Sequence, residues 1–269
     1  MYLPPFHVHA DVITILFLLT FSYLYAVNRL GPILAPNRPT SGKTQAVYLV
    51  GVATIWIASG WPIHDIAERY LFSVHMVQHI LLEMVAPPLL LLGLPSWLAD
   101  RVFGNRFVLP WLRPIARMVP AFFISTGLLL FIHWPKIVEL QVTSHFAHFL
   151  IHAALLGAGV LMWFPVCSTA TLIPRARPPM QMVYLFSHSI LPTVPASFLT
   201  FSTVALYPAY GNAAEVYGLT ALADQALAGV IMKIIGGLYL WGWIAVIWFR
   251  WASAERRWDE IEQELATTQ

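Results

Sequence analysis

The chain has 269 residues, of which 58% are hydrophobic and only 10% charged, whereas soluble domains carry about a quarter charged residues. That balance excludes an ordinary soluble domain and places the chain among polytopic membrane proteins. A net charge of +2 gives no footing for nucleic acid, and a single cysteine excludes a disulfide framework or a CxxC metal motif.

The N-terminus, MYLPPFHVHADVITILF, has no basic n-region and no small-residue cleavage site, so no removed signal peptide is expected. Seven apolar stretches follow, at roughly 10–28, 45–61, 72–93, 119–134, 145–164, 181–203 and 224–249. Each is read as a helix crossing a hydrocarbon core about 30 Å thick. The expected fold is therefore all-α, a bundle of seven transmembrane helices forming one domain over residues 1–249. The segments after spans 1, 3, 5 and 7 hold twelve Lys and Arg, from Arg29 to Arg257; the opposite side holds only Arg69 and Lys136. The positive-inside rule then puts the N-terminus outside and the C-terminus in the cytoplasm. In the tail, 250–269, Trp251, Trp258, Ile261 and Leu265 share one helical face, as in an amphipathic helix lying along the inner surface.

With that orientation, nine of ten histidines fall on the outer side. His7 and His9 precede span 1, and His64 follows span 2. Span 3 carries FSVHMVQHILLEM, in which His75, His79 and Glu83 at i, i+4 and i+8 form one stripe. His133 ends span 4, and His145, His148 and His152 open span 5 on one face; only His188 in span 6 lies deeper. A lone histidine near a helix end is ordinarily interfacial. Two stripes at matched depth are not explained that way, because ionisable groups inside a membrane are expensive. If spans 3 and 5 face each other, five imidazoles converge near the outer surface.

Two chemistries suit such a cluster. Imidazole binds copper and thioether prefers Cu(I), so His75, Met76 and His79 could hold copper with the span 5 histidines. Alternatively, histidines from facing helices could ligate a haem iron, with the small residues Gly157–Gly159 forming the slot. Cys167 falls at the other end of span 5 and is excluded from an outer site. Glu83 and Lys233 both lie near mid-membrane and are expected to pair or to neutralise through shifted pKa values. Pro87, Pro88, Pro192 and Pro195 remove helical donors beside Glu83 and His188, so spans 3 and 6 should be interrupted there. A Lys in a seventh span also invites a retinal-protein reading, but Gly229, one turn before Lys233, leaves the expected carboxylate missing.

HMVQHILLEMVAPPLLLLGLP at 75–95 resembles the signature of the seven-helix CtaG family of bacterial cytochrome c oxidase assembly factors. FIHWP at 131–135, the His145/His148 pair, WFPV at 163–166, PTVPASFLTFS at 192–202, LYPAY at 206–210 and DQALAG at 224–229 follow in the family's order. The resemblance implies a role in maturing haem–copper oxidases, by supplying copper or stabilising a metal centre on the outer face of the bacterial plasma membrane. It points to His75, Met76, His79, His133, His145 and His148, and to Asp224 with Gln225 as residues that orient ligand imidazoles; His152, Glu83 and His188 come from helical geometry alone. The family pattern usually has an aromatic residue where this chain has Lys233. The expected partners are an oxidase subunit, an extracytoplasmic copper donor and the lipid bilayer. Binding without turnover is expected, with a b-type haem protein or a metal-free assembly scaffold as the alternatives.

Overall fold

The computed structural model describes residues 2–207, 210–211 and 213–267, and among these it is all-helical with no strand. Residues 208 and 209 of the LYPAY motif and residues 268 and 269 of the tail lie outside the described residues. In chain order the helices are α1 (Ala10–Leu34), α2 (Gly42–Ser59), α3 (Ile63–Arg69), α4 (Phe72–Gly93), α5 (Ser96–Phe103), α6 (Leu109–Ile115) and α7 (Met118–Ile132). There follow α8 (Pro135–Thr143), α9 (His145–Cys167), α10 (Pro178–Ile190) and α11 (Thr193–Phe201). The last, α12, runs from Ala221–Val230 through a π turn into Gly236–Thr267. Among the described residues, five helical segments are long and apolar enough to cross a membrane, or as many as seven if the bent pairs α2–α3 and α6–α7 each count as one span. Large apolar side chains such as Phe17, Phe123, Phe131 and Phe249 stand exposed on their flanks, as lipid-facing surfaces require.

The hub is α4. Its first turns pack on α12, its middle on α2 and α9, and its last turns again on α2 and α9. The approach to α2 is closest at Gly93, where any Cβ would run into the Tyr48 backbone. Tyr48 stacks on Tyr23 of α1, whose hydroxyl donates to the Gly93 carbonyl at 2.8 Å. Small residues and satisfied hydroxyls thus do the packing that the hydrophobic effect cannot do between helices in lipid.

The prolines interrupt the helices as expected. Pro87 and Pro88 offer no N–H to the carbonyls of Glu83 and Met84, and the helix widens into a π turn over Ile80–Val85 immediately before them. Pro192 lies in the gap between α10 and α11. The stretch 135–143 forms the short helix α8, and α12 continues through residue 250 without a break.

At the Arg-rich end, Asp100 accepts from Thr171 N (2.6 Å), Thr171 Oγ1 (2.7 Å) and Leu172 N (3.4 Å), tying the α9–α10 connection to α5. The opposite end carries the histidines.

Candidate metal centre

The helix that carries His75 and His79 is fixed at its start by a residue from the far end of the chain. Asp224 of α12 accepts from Phe72 N at 2.6 Å, and from Ser73 N at 3.2 Å and Ser73 Oγ at 2.5 Å. These are donors that no intrahelical carbonyl can reach, and the carboxylate also meets the positive end of the α4 dipole. Ser144 caps α9, accepting from Ala147 N at 3.4 Å, and so sets the first turn of the helix carrying His148 and His152.

The two stripes meet. His75 and His79 have ring centroids 4.2 Å apart, and each lies about one ring's reach from His152, at 6.1 and 6.0 Å. His148 and His152 are 4.1 Å apart, and His64 of α3 joins them at 5.0 Å from His148. In two triads, His75/His79/His152 and His64/His148/His152, one ligand nitrogen from each ring lies within 4.8 Å of the others. His152 belongs to both.

Three side chains set the rings. Gln141 of α8 donates from Nε2 to His75 Nε2 at 3.4 Å and to His152 Nε2 at 3.2 Å. Both nitrogens must then be acceptors, so these are neutral imidazoles with their lone pairs converging on the amide. Gln78 donates from Nε2 to His64 Nδ1 and to the Ala58 carbonyl, both at 2.9 Å. The Glu68 carboxylate lies 3.1 Å from His148 Nδ1 and 3.6 Å from His64 Nε2, close to both rings but hydrogen-bonded to neither. His75 Nδ1, both nitrogens of His79, and His148 Nε2 are buried without any hydrogen-bond partner. Each such group costs about 1–3 kcal/mol, a poor use of polar residues unless something binds them.

A family model of the cytochrome c oxidase caa3 assembly factor, CtaG, matches residues 12–254. The chain belongs to that family. Uncharacterized proteins of Mycobacterium bovis and Mycobacterium tuberculosis are each 25% identical to it over 228 residues, 78% of this chain and 34% of theirs. The chain therefore spans about a third of the length of those curated relatives. No solved structure matches it significantly.

In this CtaG-family chain, the residues expected from sequence separate into distinct groups. His75, His79, His148 and His152 come together. His145 stands exposed at the mouth, bordering the cavity beside His148 but belonging to neither triad. His133 lies one ring away, 5.6 Å from His79, with Nδ1 bound to the Leu129 carbonyl at 2.7 Å. Met76 points into the apolar cluster of Phe72, Leu199 and Met232, not into a triad, because i+1 lies about 100° around the helix from His75.

Asp224 and Gln225 bind backbone groups and, for Asp224, the Ser73 hydroxyl, not imidazole. Gln225 accepts from Leu206 N at 2.6 Å and donates to the Leu199 carbonyl at 3.3 Å, fastening the loop after α11. Glu83 and Lys233 form no ion pair. Lys233 Nζ instead donates to the Ser189 carbonyl at 3.1 Å and to Thr193 Oγ1 at 2.5 Å, because the break between α10 and α11 leaves that carbonyl free. Of the small residues offered for a haem slot, Gly157 has open space at its Cβ position, but Gly159 is already used. A Cβ on Gly159 would stand 2.5 Å from the Glu83 carbonyl and 2.7 Å from Pro87 Cγ, so α4 fills that space. At Gly159 itself α4 and α9 leave no room for a macrocycle.

His64, Glu68, Gln78 and Gln141 were not among the expected site residues. Gln78 lies at i+3 from His75, on a neighbouring face, and that spacing could have revealed it. Gln141 has no neighbour in sequence that points to it.

Proposed function

We propose that the protein is an assembly factor of the bacterial plasma membrane that holds copper in the paired imidazole triads and passes it to a subunit of a haem–copper oxidase. The observation that carries this reading is the sharing of His152 between two triads in which His75 Nδ1, both nitrogens of His79 and His148 Nε2 are buried without a hydrogen-bond partner. Neutral imidazole is a good copper ligand, and a site with a shared ligand and no thiolate suits an ion that must leave again. Loading is on the outer side in this reading. A cavity of about 260 Å³ reaches His148 and His152 and is bordered by Asp11 and Glu68, whose carboxylates attract a cation toward the rings. An extracytoplasmic copper donor would approach there. The protein acts by binding and release, without turnover.

The test is in cells. A strain lacking the protein and complemented with His152→Gln should assemble an oxidase deficient in copper, and excess copper in the medium should restore it. Wild-type copper loading of the oxidase in that strain would leave the protein a metal-free scaffold.

A further inference from the structure

Deeper in the bundle than the triads lies a second cavity of about 50 Å³, room for a few water-sized occupants. Its wall carries four of the chain's eight methionines, Met76, Met84, Met162 and Met232, together with His79, His133 and His188. Methionine is a common filler of irregular apolar cores, and that would explain the thioethers alone. It does not explain the nitrogens. His133 Nε2, His188 Nε2 and both nitrogens of His79 are buried with no partner. His133 Nδ1 faces the Leu129 carbonyl and must donate to it, which leaves Nε2 with a free lone pair.

The backbone around the cavity is irregular as well. Two of its helices pass through π turns there: Ile80–Val85 contributes Glu83 and Met84, and Ile231–Ile235 contributes Met232 and Lys233. Such turns are rare and concentrate at functional sites. A third, Ala26–Leu30 in α1, is away from the cavity. The Lys233 ammonium is engaged by Ser189 and Thr193 at one wall.

We propose that this cavity is a second, sulfur-rich site for Cu(I), reached from the imidazole triads through His79, which belongs to one triad and lines the cavity. The proposal rests on the copper reading above. Thioether with imidazole selects Cu(I), whereas zinc has little use for thioether. Copper would move from an all-nitrogen site to one with sulfur donors, which holds the ion in its reduced state inside the membrane.

X-ray absorption on the purified full chain, loaded anaerobically with Cu(I) and washed with chelator, distinguishes the cases. Wild type should show copper with both nitrogen and sulfur scattering. Met84→Leu/Met232→Leu, which nearly conserves volume, should lose the sulfur contribution and keep the nitrogen one, with an unchanged melting temperature showing that it is folded. Copper with nitrogen ligands only in wild type, or sulfur scattering that persists in the double variant, would overturn the second site and leave the triads standing. No copper at all in wild type would overturn both.

Discussion

Asp224 shows how much one buried carboxylate can do without touching a ligand. It caps a helix that begins 152 residues away in sequence, and that helix presents His75 and His79. Losing an N-cap costs about 0.5–2 kcal/mol, and Asn is nearly as good a cap as Asp. Asp224→Ala should therefore lower stability by about 2 kcal/mol, while Asp224→Asn falls by clearly less; denaturant unfolding in detergent measures both. Equal losses would mean that the charge, not the cap, is what α4 needs. The sequence marks Asp224 through a motif but assigns it to the imidazoles, since spacing along one chain cannot say which backbone a carboxylate will meet. The same limit hid Gln141. Its amide reaches His75 across 66 residues, and it sits on a short helix that hydropathy passes over. His75, His79, His148 and His152 were legible because helical periodicity places them on faces before any tertiary contact is known.

Among the helices, the contact between α4 and α9 decides whether the two histidine stripes meet at all. Gly159 is its point of closest approach, while Gly157, two residues earlier, has open space around its Cα. The pair makes a clean comparison. Gly157→Ala should leave the melting temperature unchanged or raise it, since alanine improves a helix by up to about 1 kcal/mol. Gly159→Ala must push α9 off the Glu83 carbonyl and should lower it by several degrees. A matching response of the two variants would mean that α4 and α9 do not pack as described. Apolar stretches marked the approximate place of the long helices but not of the short ones α3, α5, α6 and α8, and prolines marked where α4 widens and where α10 ends. Hydropathy alone did not tell that Lys233 would serve the broken end of α10 in place of Glu83, because that depends on which carbonyl the break exposes.

Across the whole molecule, imidazoles form a nearly continuous run from one end of the bundle to its interior. His9 stacks edge-on against His64 at 4.6 Å; His148, His152, His75 and His79 follow, and His133 lies beyond them. Carboxylates line the start of this run and thioethers its end, an order from hard to soft donors that suits an ion losing its water and then meeting sulfur. In the proposed reading, such an ion is bound for the oxidase whose assembly the family serves. The most direct measurement of the central claim is copper content after anaerobic Cu(I) loading and chelator washing of detergent-purified wild type and His152→Gln, with an optical spectrum of each. The account predicts copper retained by wild type, lost from the folded variant, and no Soret band in either. Equal copper in both proteins, or copper in neither, would contradict it.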